Sequence, residues 1–286
     1  MNPVQFYNAG SIKKTHPVLQ RVITYAISQS ITTPARRLLM KLNDYTYNLT
    51  KTGGVLATTT PITATSFSLN DVFYNFVYNQ ASPDLLLFAA IDWIRLDRAT
   101  RTVDTIVLNT TGIASIEFPV SSGTFGFMDT NFNPSPSGSH KYSDNDANVT
   151  VNMFAQGTPS PFFKLSNQTQ RTFIGSSPTA RLNTTGTTTF TNLNITGTRQ
   201  ITRSDAVNII MRSGINNGTT VSESLGLTGA VAVSNGNFFL FRSASTNYTG
   251  VLQGAFIGKF CDSTTFDNYR KYTNKYLLSI GLTATA

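Results

Sequence analysis

The sequence predicts a mainly β protein, a sandwich or jelly-roll preceded by a helical segment and closed by one C-terminal helix. Three observations carry that prediction. Short runs with period-two alternation or β-branched residues recur between Gly, Asn, Pro and Ser clusters from about residue 55 onward. Apolar residues at helical spacing concentrate in residues 17–49 and again in 266–282. At 286 residues the chain is long enough to bury a full core, as one large β domain or as one such domain plus a small partner.

Residues 1–15 read as an irregular arm. Pro17 suits the first position of a helix, and Val18, Leu19, Val22, Ile23, Ala26 and Ile27 follow at helical spacing. Ile31-Thr-Thr-Pro34 interrupts the pattern. A second helix then runs from Thr33-Pro34 to about Leu49, with Leu38, Leu39, Leu42, Tyr45 and Leu49 on one side, and Gly53-Gly54 ends it. The domain division is therefore 1–54 for the arm and helices and 55–286 for the sandwich. Strands are predicted near 72–78, 85–93, 104–109, 113–119, 124–130, 147–154, 170–175, 179–183, 187–196, 206–212, 219–224, 228–233, 237–241 and 250–260. The Thr-rich stretch 184–197 alternates enough to read as a hairpin with Phe190, Leu193 and Ile195 inward. Closing the chain, Phe266, Tyr269, Thr273, Tyr276, Leu277 and Ile280 form one stripe. Ser263, Thr264 or Thr265 can cap that helix, and Gly281 suits its left-handed C′ position.

Charge is sparse, at 13%, but the balance is +8. Through Lys51 the cations Lys13, Lys14, Arg21, Arg36, Arg37, Lys41 and Lys51 face one acid, Asp44. Two readings stay open: contact with an acidic partner, or a solvated helix face. Without an aromatic-interleaved basic groove or a recognition motif, nucleic acid is not the expected partner. No apolar run reaches the roughly eighteen residues of a membrane span, and the start lacks a secretory signal pattern. The single cysteine, Cys261, rules out an internal disulfide framework and reads as a small buried filler. Low charge with many Thr, Asn, Ser and aromatic residues recurs in extracellular β proteins and virus particle proteins.

Catalytic patterns do not emerge. The only glutamates, Glu117 and Glu223, stand apart, whereas a retaining glycosidase needs two carboxylates about 5–5.5 Å apart. No Gly-x-Ser-x-Gly elbow accompanies His16 or His140. Trp93, the only tryptophan, lies in an apolar stretch and is read as core. Asp144-Asn-Asp146 is the best oxygen-ligand cluster. Asp144 and Asp146 are Ca²⁺ candidates, although an Asx-turn explains the same residues. No enzyme activity is expected.

One order of motifs is familiar. Val72-Phe-Tyr-Asn-Phe-Val-Tyr78 precedes Asp92-Trp93, then Phe127-Met-Asp-Thr-Asn-Phe-Asn-Pro-Ser135 and Lys141-Tyr-Ser-Asp-Asn-Asp-Ala147. Phe173-Ile-Gly-Ser-Ser177, Asn237-Phe-Phe-Leu-Phe-Arg242 and Ala255-Phe-Ile-Gly258 follow, then the Tyr-rich helix. Across about residues 17–282 this resembles the concanavalin-A-like (LamG-type) sandwiches in structural proteins of Bacteroidetes-infecting phages, including crAss-like phages. The Thr-rich hairpin and the basic helical pair depart from that pattern. The resemblance implies a concanavalin-A-like jelly-roll and a non-enzymatic virion structural protein at the particle surface. Head decoration, spike, tail and fibre all fit. Its partners would be other virion proteins and further copies of itself, a homo-oligomer. Assembly would run through the N-terminal segment, with Lys13, Lys14, Arg21, Arg36 and Arg37 as contacts. The alternative is a carbohydrate-binding adhesin for host surface glycans, with Tyr142, Asp144 and Asn145 as an exposed aromatic beside hydrogen-bonding groups.

Overall fold

The computed structural model describes residues 5–8, 11–78, 85–101, 107–109, 115–118, 127–134, 139–153, 164–167, 172–175, 179–191, 197–214, 218–227, 232–233, 235–240 and 250–282. Its body is two antiparallel sheets. The larger runs, edge to edge, through Val221–Gly226, Asn208–Gly214, Gly197–Arg203, Ala147–Met153, Gly250–Gly258, Ser115–Phe118 and Val107–Asn109. Its eighth strand, Asn70–Asn75, pairs with the second half of Gly250–Gly258, whose first half pairs with Ser115–Phe118. The smaller has five strands in the order Phe173–Gly175, Lys164–Asn167, Phe238–Leu240, Met128–Asp129 and Thr100–Arg101.

Pairing register separates the faces of the larger sheet. Val149 lies opposite Ile201 and Ile257, and Ile201 opposite Met211, so these apolar side chains share one face. That face looks onto the smaller sheet: Tyr74, on the same side, donates its hydroxyl to the Thr130 carbonyl at 3.3 Å. Between the sheets lie Ile174, Met128, Phe238 and Leu240, all fully buried. On the opposite face, Phe73 and Phe256 stack 6.4 Å apart beneath Tyr269 of the last helix.

Four α-helices are described: α1 (Pro17–Ser28), α2 (Arg36–Leu49), α3 (Leu85–Ala89) and α4 (Ser263–Ser279). Pro17 opens α1 as expected, and the His16 ring nitrogen accepts from the Val18 N–H at 3.2 Å. Asn43, 1% exposed, ties α2 to the entry of α1, accepting from His16 N and donating to the Lys14 carbonyl. α2 starts at Arg36, two residues after the expected Pro34. It lies antiparallel on α4: Tyr45 stacks on Tyr276 at 4.7 Å and hydrogen-bonds Thr273 at 2.9 Å. The helical segment and the sheets thus share one continuous hydrophobic core.

α4 buries Phe266, Tyr269, Thr273, Tyr276 and Leu277 and exposes Lys271, Lys275 and Leu278. Its N-cap is Asp262, accepting from Thr265 N at 2.7 Å, rather than the expected Ser or Thr; a carboxylate also suits the positive end of the helix. Gly281, at φ +83°, ends it, with Leu282 N bonding the Leu277 carbonyl and Gly281 N the Leu278 carbonyl. The Arg270 side chain of α4 lies over Gly214, where a Cβ would fall 2.0 Å from the guanidinium carbon.

Beside Phe73 and Phe256, the sheet face beneath α4 is polar. Asn148, Thr150, Asn152, Thr198, Gln200 and Thr202 are fully buried there, with Arg212 beside them. Gln200 donates to Asn148 and Thr150 at 3.2 and 3.1 Å and accepts from Arg212 at 2.7 Å. Arg212 also reaches the Cys261 carbonyl at 2.8 Å, and Cys261 N–H donates to Thr202 at 3.1 Å. Asn152 bridges Thr198 and Gln253.

Three expectations change. Gln5–Asn8 pairs antiparallel with Ser11–Lys14, where an irregular arm was expected. The stretch 85–93 begins as helix α3, not a strand; a Leu-Leu-Leu-Phe-Ala run has strong helix propensity and no period to contradict it. Gly197–Arg203, unforeseen, is a seven-residue strand buried throughout. Most other predicted strands are present among the described residues; 104–106, 113–114, 119, 124–126, 154, 170–171, 192–196, 228–231 and 241 lie outside them.

Candidate functional site

The loop expected to present an aromatic for glycan stacking folds inward. Tyr142 is 3% exposed, its hydroxyl 2.6 Å from Asn183 Oδ1 and 2.8 Å from Thr172 Oγ1. Its ring meets Phe238 edge-on at 5.6 Å, and burial pushes the phenol pKa upward. The backbone around it is held by Asp71, whose carboxylate accepts from Lys141 N and Tyr142 N at 2.9 and 2.8 Å. The ring is therefore part of the core and offers no stacking platform.

Its neighbours fasten the same loop. Asp144 accepts from the Val233 N–H and Asp146 from the Phe260 N–H. Asn145 accepts from Arg203 at 2.9 Å, and Asn183 donates to the Ser143 carbonyl at 2.8 Å. Asp144 and Asp146 thus bond to segments far apart in sequence. Among the described residues no group of three or more His, Cys, Asp and Glu side chains gathers as a metal site.

Other polar residues singled out from the sequence also serve the fold. Trp93 is fully buried against Phe73, 5.6 Å between ring centres. Asp92 accepts from Phe73 N and Ile94 N at 3.1 and 2.9 Å and pairs with Arg95 at 2.6 Å. Arg95 continues to the Asn131 and Thr130 carbonyls, joining the larger sheet to the Thr130-Asn-Phe-Asn133 turn. Cys261 is fully buried, and burial pushes its thiol up to about 12, far from a thiolate at neutral pH.

The basic residues divide. Lys14, Arg36 and Arg37 are exposed, and the Lys13 side chain lies outside the described residues. Arg21 turns inward, donating to the Ile94 carbonyl at 3.2 Å with its guanidinium 5.8 Å from the Phe67 ring centre; burial lowers its pKa. It is therefore half-buried against Phe67 rather than projecting freely like Lys14, Arg36 and Arg37.

Two clefts flank α4, and the sequence marked neither. A groove of about 470 Å³ separates the first turn of α2 from the last turn of α4, between Arg37, Leu38 and Lys41 on one side and Leu278 and Ile280 on the other. The second, about 450 Å³, is polar, lined by Thr219, Thr220, Asp267, Arg270, Lys271 and Asn274. Arg270 is held there by Thr220 at 2.7 Å and the Gly218 carbonyl at 3.1 Å. Both clefts depend on where α4 lies, which local pattern does not specify.

No protein-family model matches the chain, and no curated protein sequence does. Among solved structures, a crystal structure of an HCR/D mutant aligns over 72% of this chain and 52% of its own, at 12% identity and a TM-score of 0.43. The receptor binding domain of botulinum neurotoxin D aligns over the same shares at 12% identity and a TM-score of 0.32. A Trypanosoma rangeli sialidase aligns over 83% of this chain and 39% of its own, at 7% identity and a TM-score of 0.32. The chain thus spans about half the length of the first two. Among the described residues no helix is long and apolar enough to cross a membrane.

Proposed function

We propose that this chain is a non-enzymatic structural protein of a virus particle, of the concanavalin-A-like kind its motifs resemble. In this reading it assembles with other virion proteins and with copies of itself through its helical cap. One observation carries the reading: the basic segment is held by Asn43 within itself and packs on α4 through Tyr45 against Tyr276 and Thr273, so Lys14, Arg36 and Arg37 project from a packed base. Charges on a packed base hold the fixed geometry a repeated subunit contact needs, without the ordering cost of a flexible arm. The motif residues that resemble the phage family, Asp92, Thr130 and Asn133, act as staples within this fold. Immunogold labelling of particles purified from the source tests the reading. Label at one fixed position is expected, and its place would tell head from tail or fibre. Unlabelled particles, with the chain free in the lysate, would remove the reading.

A glycan-binding adhesin is the second reading, favoured by the polar cleft beside α4. There Asp267 supplies an acceptor, and Lys271 supplies a donor suited to sugar hydroxyls. Glycan-array binding should then vanish in Lys271→Ala and persist in Tyr142→Phe. The opposite pattern would return the site to the 142–146 loop.

A further inference from the structure

We infer that the groove between α2 and α4 receives an acidic, partly apolar segment of a partner protein. Its carboxylates would meet Arg37 and Lys41, and an apolar side chain would lie against Leu278. This inference rests on the assembly reading above and names the chemistry of the partner.

The two walls differ in kind. Arg37 and Lys41, four residues apart on α2, form one cationic wall, and among the described residues neither side chain has a hydrogen bond or ion pair. Across the groove stands Leu278, 57% exposed, while its neighbour Leu277 is fully buried. A lone exposed leucine is unremarkable on any surface. This one shares a groove of about 470 Å³ with two unpaired cations, a volume in the range of ligand-sized clefts.

The fold itself does not ask for this charge. The first turn of α2 contains Arg36 and Arg37 and no acid, the reverse of what its dipole favours. Like charges at i and i+4 repel as well. The end of α4 does not require the cations as caps either. Ile280 N, Gly281 N and Leu282 N already bond the Tyr276, Leu278 and Leu277 carbonyls. Cations that oppose their own helix, stand unpaired and face an exposed apolar residue are complementary to an acidic segment carrying an apolar anchor. The chain's balance of +8 has the same sign.

The test uses the full chain and fluorescence anisotropy with three labelled probes. These are a peptide mixing Glu and Leu, the same peptide with Gln for Glu, and a thymidine oligonucleotide. The Glu peptide is expected to bind at least about tenfold tighter than the Gln peptide. Arg37→Glu with Lys41→Glu should abolish that preference, and Leu278→Ser should weaken binding severalfold. Arg37→Gln with Lys41→Gln, judged folded by its melting curve, guards against a structural artefact. Equal binding of both peptides, or binding indifferent to the charge changes, overturns the inference. Tighter binding of the oligonucleotide, lost in the same variants, overturns it in favour of nucleic acid. Failure here is separable from failure of the particle reading. Labelled particles that incorporate the Glu variant normally would remove the groove alone, whereas unlabelled particles with intact peptide binding would remove the particle role alone.

Discussion

The two faces of the larger sheet are buried by different chemistry. Toward the smaller sheet, Val149, Val151, Ile201, Met211 and Ile257 make an apolar layer interrupted by Arg199 and Arg203. Toward α4, Asn148, Thr150, Asn152, Thr198, Gln200 and Thr202 make a polar one whose bonds run strand to strand and on to Arg212 and Cys261. Non-directional burial holds the first face, and many arrangements of similar volume would satisfy it. Directional bonds hold the second, where each buried group needs its partner in place. The comparison teaches that hydrophobic burial supplies most of the adhesion in this sandwich, while the polar layer, together with Tyr269 packed on Phe73 and Phe256, sets where α4, and hence both clefts beside it, can lie.

The comparison can be broken at either face. The largest expected effect is Ile201→Ala, which leaves a cavity in the apolar layer and should cost about 3 kcal/mol in denaturant unfolding. A cost below about 1 kcal/mol would mean the sheets are not tightly packed there. Next is Gln200→Ala, which strips a donor and an acceptor from the polar layer and should cost about 2 kcal/mol. A neutral result would show that Arg212 and Asn148 find other partners and that the layer is not cooperative. The smallest effect is kinetic. Cys261 sits where the polar layer meets α4, its thiol pushed up to about 12, so a thiol reagent at pH 8 should label native protein only slowly. Gln200→Ala should speed that labelling, and labelling as fast in native as in unfolded protein would mean α4 opens freely. The sign of the linkage follows: the unfolded thiol ionises near 9.0 and the folded one about 12, so stability falls as pH rises through that window.

Much of the fold was legible because alternation and helical spacing report burial one element at a time. Ala147–Met153, Gly250–Gly258 and α1 follow that logic, as does Gly281 at the end of α4. Gly197-Thr-Arg-Gln-Ile-Thr-Arg203 was not legible: Thr and Gln fill one face and two arginines the other, so its alternation contains almost no hydrophobic signal. Its burial depends on partners supplied by other strands. Tyr142 misled for a related reason. Ser143, Asp144 and Asn145 beside it look like a solvated loop, yet their bonds to Val233, Arg203 and Asn183 draw the ring inside. The groove at Arg37 was out of reach, since α2 meets α4 through residues such as Tyr45 and Thr273, 228 positions apart.

Gly250–Gly258 joins three other strands of the larger sheet, Asn70–Asn75, Ser115–Phe118 and Ala147–Met153, and leads into the helix that covers its polar face. During synthesis, those earlier strands must wait unpaired along that seam until it leaves the ribosome. Contacts of such long sequence separation slow folding and leave edges open to wrong neighbours. A chain that ends before residue 250 would lack the strand that those three pair with, and their edges along that seam would stay open.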